Sequence, residues 1–308
     1  MDAAAARTSD TSLESAVKAR ITRRRVLGGA AGLVGLSALA TGIYAGAILP
    51  QSLVVTRYAL NPPGWPAGRK LSVTVIADLH AGGPDMTLTH IRRVVDAANL
   101  LQSDLVVLLG DYTATYALAI RRVPFAAWAA ELARLAAPLG TWAILGNHDW
   151  WNDIAQIRSA LAEARIPVLE NDAVRLGAEG RRFWLAGIGD QLAHRLGRGR
   201  FRGVDDLPRT LAQVATDDPV LLLAHEPDIF TRVPARIALT LAGHTHGGQI
   251  RLPLIWPTFV PSRYGARFAY GHVVEEARHM IVSGGLGTSV IPARLGVPPE
   301  IVQVELGV

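Results

Sequence analysis

Residues 71–80 read LSVTVIADLH: a strand-length, largely apolar run that ends on a carboxylate and an imidazole two positions apart. The same design recurs four times. LVVLL at 105–109 runs into Gly110-Asp111, and WAIL at 142–145 into Gly146-Asn147-His148-Asp149. VLLL at 220–223 precedes His225, and IALTL at 237–241 precedes Gly243-His244-Thr245-His246. Short continuous runs of Val, Ile and Leu predict strands buried on both faces, as in the parallel sheets of α/β proteins. In such sheets functional groups gather beyond the carboxyl ends of the strands. Five strands that all stop at polar ligand types therefore predict one site.

Outward from these runs, Leu88–Leu101 and Phe125–Ala137 carry helical spacing, and Asp153 stands as the N-cap of an amphipathic helix running to about Arg165. Pro62-Pro63-Gly64, Gly82-Gly83-Pro84, Pro138-Leu139-Gly140 and Asp218-Pro219 mark the joints. Shorter strands near Val168, Val174 and Phe183 read as hairpins. Strands alternating with helices predict a layered α/β domain over 71–308, with 50–70 as linker and first strand.

The chain has 308 residues, 50% of them hydrophobic and 19% charged, and no cysteine, which excludes a disordered tail and a disulfide scaffold. Its net charge of +5 is concentrated at one end: residues 1–25 carry six Lys/Arg against three Asp/Glu, leaving 25 against 23 in the remainder. A nearly neutral body argues against nucleic acid as partner. Arg198, Arg200 and Arg202 in the basic, glycine-rich stretch LGRGRFRG (196–203) are the feature that keeps a nuclease reading open.

Residues 26–49, VLGGAAGLVGLSALATGIYAGAIL, carry no charge, and a helix of that length spans about 36 Å, enough for a hydrocarbon core of about 30 Å. Thr22-Arg23-Arg24-Arg25-Val26-Leu27 before it resembles a twin-arginine export signal, with 1–25 as the basic cytoplasmic region. Ala45-Gly46-Ala47 reads equally as a cleavage site or as part of a retained membrane anchor. Either way the remainder lies outside the cytoplasm, membrane-held or released after cleavage near Ala47.

The strand-end residues supply only oxygen and nitrogen: Asp78, His80, Asp111, Asn147, His225, His244 and His246. Carboxylate, amide and imidazole together suit Mn, Fe or Zn, and two cations need about this many donors. With His148, five of the nine histidines fall at these strand ends.

These D-x-H, G-D, G-N-H-D, H and G-H-x-H blocks, in this order from Asp78 to His246, resemble the calcineurin-like metallophosphoesterase family. The resemblance implies a four-layer αββα sandwich, two mixed sheets flanked by helices. It further implies that Asp78, His80 and His246 hold one of two divalent metal ions, Asn147, His225 and His244 the other, and that Asp111 bridges them. A hydroxide shared by the metals would attack phosphorus in line, and His148 would protonate the leaving oxygen. Asp149 is expected either to orient His148 or to stabilise the turn.

The second block reads Gly110-Asp111-Tyr112-Thr113-Ala114-Thr115-Tyr116, without the acid and arginine of the protein-phosphatase branch, so a phosphodiester or pyrophosphate is the expected substrate class. The blocks 243–252 and 283–300 are similar to membrane-associated bacterial phosphodiesterases, including lipid-processing members. Arg294 is the expected phosphate contact, with Gly284, Gly285 and Gly287 allowing close backbone approach. Trp150, Trp151 and the apolar stretch Pro253–Pro261 form a candidate lipid-tolerant rim. The substrate expectation is thus a phosphodiester or lipid-linked phosphate, such as a UDP-diacylglucosamine. The rival class is a metal-binding scaffold without turnover.

Overall fold

The computed structural model describes residues 23–115, 122–251 and 259–308. Residues 1–22, which hold most of the basic N-terminal region, and 252–258 of the expected rim lie outside the described residues. The chain divides into two units, 1–43 and 44–308. Of the first, helix α1 (Arg23–Ile43) is described; the 18-residue window with the length and hydropathy of a membrane span is Val34–Gln51, which begins in α1 and continues into the residues that follow it. The second unit begins five residues earlier than the expected end of the apolar segment, because Leu49 and Pro50 are buried within it.

The first half of the second unit runs β1 (Val54–Leu60), β2 (Leu71–Ile76), α2 (Leu88–Leu100), β3 (Leu105–Leu108), α3 (Phe125–Leu132), β4 (Thr141–Ala143), α4 (Asn147–Trp151) and α5 (Ile154–Glu163). The second half runs β5 (Asp172–Leu176), β6 (Phe183–Gly187), β7 (His194–Gly197), β8 (Arg200–Arg202), α6 (Leu207–Ala212), β9 (Val220–Leu223), β10 (Ile237–Ala242), β11 (Gly271–Glu275), β12 (Arg278–Val282) and β13 (Glu300–Leu306). All five strands expected from the opening pattern form, within one or two residues of their expected ends. Asp153 caps α5 by accepting the Gln156 N–H. Helix α3 stops at Leu132, short of the expected Ala137.

Two large mixed sheets result, in the orders β1-β13-β2-β3-β4 and β11-β12-β10-β9-β6-β5, and β7-β8 forms a separate hairpin. Strands β2, β3 and β4 are parallel to one another, as are β6, β9, β10 and β12. The alternation of side chains along each strand builds three apolar layers. Val73, Val75, Leu105 and Val107 meet Leu185, Leu221, Leu223 and Leu239 between the sheets. Ile76, Val106 and Leu108 face α2, α3 and α5. Val220, Leu222, Met280 and Val282 pack against Leu207, Phe230 and Phe268 on the opposite outer face. At about 1.5–3 kcal/mol per fully buried aliphatic side chain, these layers make a rigid frame for the strand ends.

Candidate metal centre

The carboxyl ends of β2, β3, β4, β9 and β10 all open at one edge of the double sheet, and the loops leaving them carry the expected ligand types. Crowding them requires unusual backbone: Asp78, His80, Asp111, His244 and His246 all have positive φ, between 43° and 68°. Non-glycine residues in that region are sparse, and such strain collects at functional sites. Gly146 makes the closest approach possible, since a Cβ there would lie 2.4 Å from Asp111 Oδ1 and 2.7 Å from His225 Cε1.

Asp78, His80 and His246 form one buried donor group, and Asp111, His225 and His244 another. Asp111 Oδ2 lies between them, 3.5 Å from His80 Nε2 and 3.3 Å from His225 Nε2. His80 Nε2 and His246 Nε2 face each other at 3.1 Å, with Asp78 Oδ1 3.7 Å from the latter. Asn147 Oδ1 is 3.1 Å from His225 Nε2 and 2.9 Å from His244 Nδ1. Outer contacts orient two of the rings: His225 Nδ1 pairs with the Leu109 carbonyl at 2.6 Å and His244 Nε2 with the Pro261 carbonyl at 2.9 Å. Each then has its other nitrogen turned inward.

Electrostatics fit the same picture. Burial, tempered by His225, pushes the Asp78 carboxyl up to about 7, and burial drives the His80 imidazole down to about 3. Burial likewise lowers His148, His244 and His246. Asp111 is held well below the carboxylate range against its burial by His225, His148 and His80, while Asp111 and Glu226 raise His225 well above the usual imidazole value against its own. Among the described residues, His80 Nδ1 and Asn147 Nδ2 are buried without a hydrogen-bond partner. Two carboxylates, an amide oxygen and four imidazoles, three of them lowered by burial and His225 raised beside Asp111, converge on two points and make a donor set that fits two divalent cations.

A calcineurin-like phosphoesterase family model matches residues 71–248. The chain belongs to the calcineurin-like phosphoesterase family. This phosphoesterase, a hydrolase of phosphoric esters, is 32% identical to a bovine transmembrane protein with a metallophosphoesterase domain, over 78% of its own length and 54% of the relative's. It is 29% identical to the metallophosphoesterase YkuE of Bacillus subtilis, over 93% of its length and 98% of that protein. With the phosphodiesterase YaeI of Escherichia coli it shares 32% identity over 76% of its length and 81% of the relative. It thus spans about half of the bovine relative and nearly all of the Bacillus one.

The geometry favours one of the two expected roles of Asp149 and redirects that of Arg294. The Asp149 carboxylate does not reach the His148 ring: it accepts the backbone N–H groups of Asp111, Tyr112 and Gly146, which places it among turn-holding residues. His148 Nδ1 instead pairs with Thr115 Oγ1, and its Nε2 lies 3.4 Å from Ser289 Oγ. Arg294 is fully buried, and its guanidinium donates to the Gly284, Gly287 and Val297 carbonyls. Its Nη2 is 3.3 Å from His246 Nδ1, so it backs the metal centre instead of facing substrate. Burial lowers its pKa to about 10, which still leaves a cation.

The structure also divides the expected rim. Trp150 packs into the outer core, with Arg158 over its ring. Trp151 faces the site, its ring 5.0 Å from His148, stacked on Phe201 of the β7–β8 hairpin at 5.6 Å, with Arg195 3.6 Å above it.

Sequence reasoning passed over one buried acid pair. Asp190 and Glu226 group with His225, Asp190 being raised well above the carboxylate range by burial and by Glu226. The signal was available, since Gly189-Asp190 ends β6 as Gly110-Asp111 ends β3.

Proposed function

We propose that this phosphoesterase hydrolyses a phosphodiester or pyrophosphate bond, of a lipid-linked or envelope substrate such as a UDP-diacylglucosamine, using two divalent cations of the Mn, Fe or Zn type. The observation that carries the reading is the position of Asp111 Oδ2, within 3.5 Å of one donor group and 3.3 Å of the other. Asp78, His80 and His246 would hold one cation, Asn147, His225 and His244 the second, and Asp111 both. Cations held there would supply neutralisation of phosphoryl charge and a more acidic water.

The chain's own residues do the rest. Asp111 Oδ1 accepts the His148 backbone N–H at 2.8 Å, which ties the proton donor to the bridging carboxylate. Thr115 fixes Nδ1, so the proton passed to the leaving oxygen is the one on His148 Nε2. The ring stands 4.9 Å from His80, and His148 also groups with His80 and Asp111 at the edge of the centre. No nucleophilic side chain is required, in keeping with a chain that has no cysteine.

The membrane-length helix and the transmembrane relative support attachment to a membrane, and Arg23-Arg24 supports export of the catalytic unit by the twin-arginine route. The near-neutral body supports a substrate other than nucleic acid. The test is hydrolysis of bis(p-nitrophenyl) phosphate against p-nitrophenyl phosphate by the full-length protein, chelated and then reloaded with Mn, Fe or Zn. Metal-dependent diester cleavage that disappears in D111N is the expected result; metal binding without turnover would favour the scaffold. Lysine at both Arg23 and Arg24 should block export, and unchanged export would remove the twin-arginine assignment.

A further inference from the structure

The loop Ser289–Arg294 connects the catalytic centre to the point where the chain enters the folded unit. At one end Ser289 Oγ lies 3.4 Å from His148 Nε2. At the other the Arg294 backbone N–H donates to the Ala45 carbonyl at 2.9 Å, while the same residue's guanidinium reaches His246. A single arginine therefore bridges a candidate metal ligand and the segment that follows directly on α1.

Between these ends the loop turns apolar side chains outward. Val290 is 69% exposed and sits at φ 68°, a conformation that a β-branched residue adopts only when its surroundings impose it. Gln249, which follows the last ligand block, imposes it: its Oε1 accepts the Ser289 N–H at 2.8 Å and its Nε2 donates to the Ile291 and Ala293 carbonyls, each at 2.9 Å. Ile291 is 41% exposed, and on the entry segment Ile48 is 51% exposed. A clamped, strained loop that holds a valine in the open is built for contact with something apolar.

We propose that Val290 and Ile291 enter the lipid interface, so that the mouth of the metal centre opens onto the bilayer and takes its phosphoester from the headgroup layer. A lipid surface is the occupant favoured because Ala45, which this loop holds, lies within the apolar window Val34–Gln51, long enough to cross a membrane. The inference rests on the membrane attachment and lipid-linked substrate proposed above and adds where on the molecule that surface lies.

Because the chain has no cysteine, single-cysteine variants give unambiguous reporters. V290C, I291C and, as a control, L100C at an 82% exposed position of α2 would be labelled with an environment-sensitive fluorophore. The full-length protein would then be reconstituted in phosphatidylcholine–phosphatidylglycerol vesicles. The expected result is a blue shift, quenching by nitroxide on the lipid chains and loss of iodide quenching at both 290 and 291, with none of these at 100. Protein that floats with the vesicles while both loop labels stay open to iodide overturns the inference and leaves attachment standing. Protein that fails to float overturns attachment and the inference together. Neither readout depends on turnover, so a failure of the proposed hydrolysis is told apart from both.

Discussion

The carboxylate of Asp149 accepts the Asp111 backbone N–H on Oδ2 at 2.8 Å, from a position thirty-eight residues further along the chain. The neighbouring Tyr112 N–H reaches Oδ1 at 2.8 Å, and Gly146 N–H shares Oδ2 at 2.9 Å. One side chain thus ties the end of β3 to the start of α4, and with it the bridging carboxylate to the loop of Asn147 and His148. D149N replaces one acceptor oxygen by a donor facing donors. It should cost about 1–3 kcal/mol of stability for the unpaired amide and weaken metal affinity about 10–100-fold through the displaced Asp111. Thermal melts and metal titration check both. A variant with full stability and metal affinity but an altered pH–rate profile would restore the role of orienting His148.

Arg294 yields a prediction of opposite character from the one a phosphate contact would have given. A buried guanidinium that satisfies three carbonyls cannot be removed without stranding them, so R294M should lose about 3–5 kcal/mol. R294K should fare little better, because an ammonium cannot reproduce the planar fork. Urea denaturation of the full-length protein measures the loss. If R294K instead folds normally and raises KM alone, the residue meets substrate.

The pH dependence of metal binding follows from the first donor group. Burial places Asp78 at about 7 and His80 at about 3 in the metal-free protein, so on acidification the carboxyl takes up a proton before that imidazole does. A cation binds the ionised carboxylate and the neutral ring. Affinity at this group should therefore be constant above about 7 and fall with decreasing pH below it, by up to tenfold per pH unit for the one competing proton. Titrating Mn into the chelated protein between pH 5 and 8 tests the sign. An affinity that rises on acidification would contradict it.

The sequence carries the ligands more clearly than their neighbours because ligand chemistry is a property of residue type and strand-end position, both visible in one dimension. The clusters holding Asp78, His80, Asp111, Asn147, His225, His244 and His246 needed only the rule that strand ends converge, and the family resemblance singled out these seven from them. The partners of Asp149 and Arg294 are backbone groups, and nothing in residue type announces which amide or carbonyl will lie within reach. Strand β13, EIVQVEL, lies second in its sheet, with Glu300 fully buried and accepting the Tyr270 hydroxyl at 2.7 Å and the Gly284 N–H at 2.7 Å, partners that residue type does not announce.

Trp151 joins the catalytic edge to the basic hairpin, and its removal should separate positioning from charge. Its ring lies 5.0 Å from His148, its Nε1 donates to the Leu192 carbonyl at 3.0 Å, and Arg195 covers its outer face. An aromatic contact of this kind is worth about 0.5–1.5 kcal/mol. W151A should therefore lower kcat of the surrogate diester by about tenfold as His148 loses its packed neighbour, with W151F recovering most of it through the retained ring. R195A leaves the Leu192 bond and the Phe201 stack in place and should lower kcat by less than W151A. Its effect should diminish as salt is raised, since an exposed cation acts through a screened field. Steady-state kinetics at two ionic strengths distinguish the variants. Equal, salt-independent losses in W151A and R195A would mean that the hairpin serves only as packing.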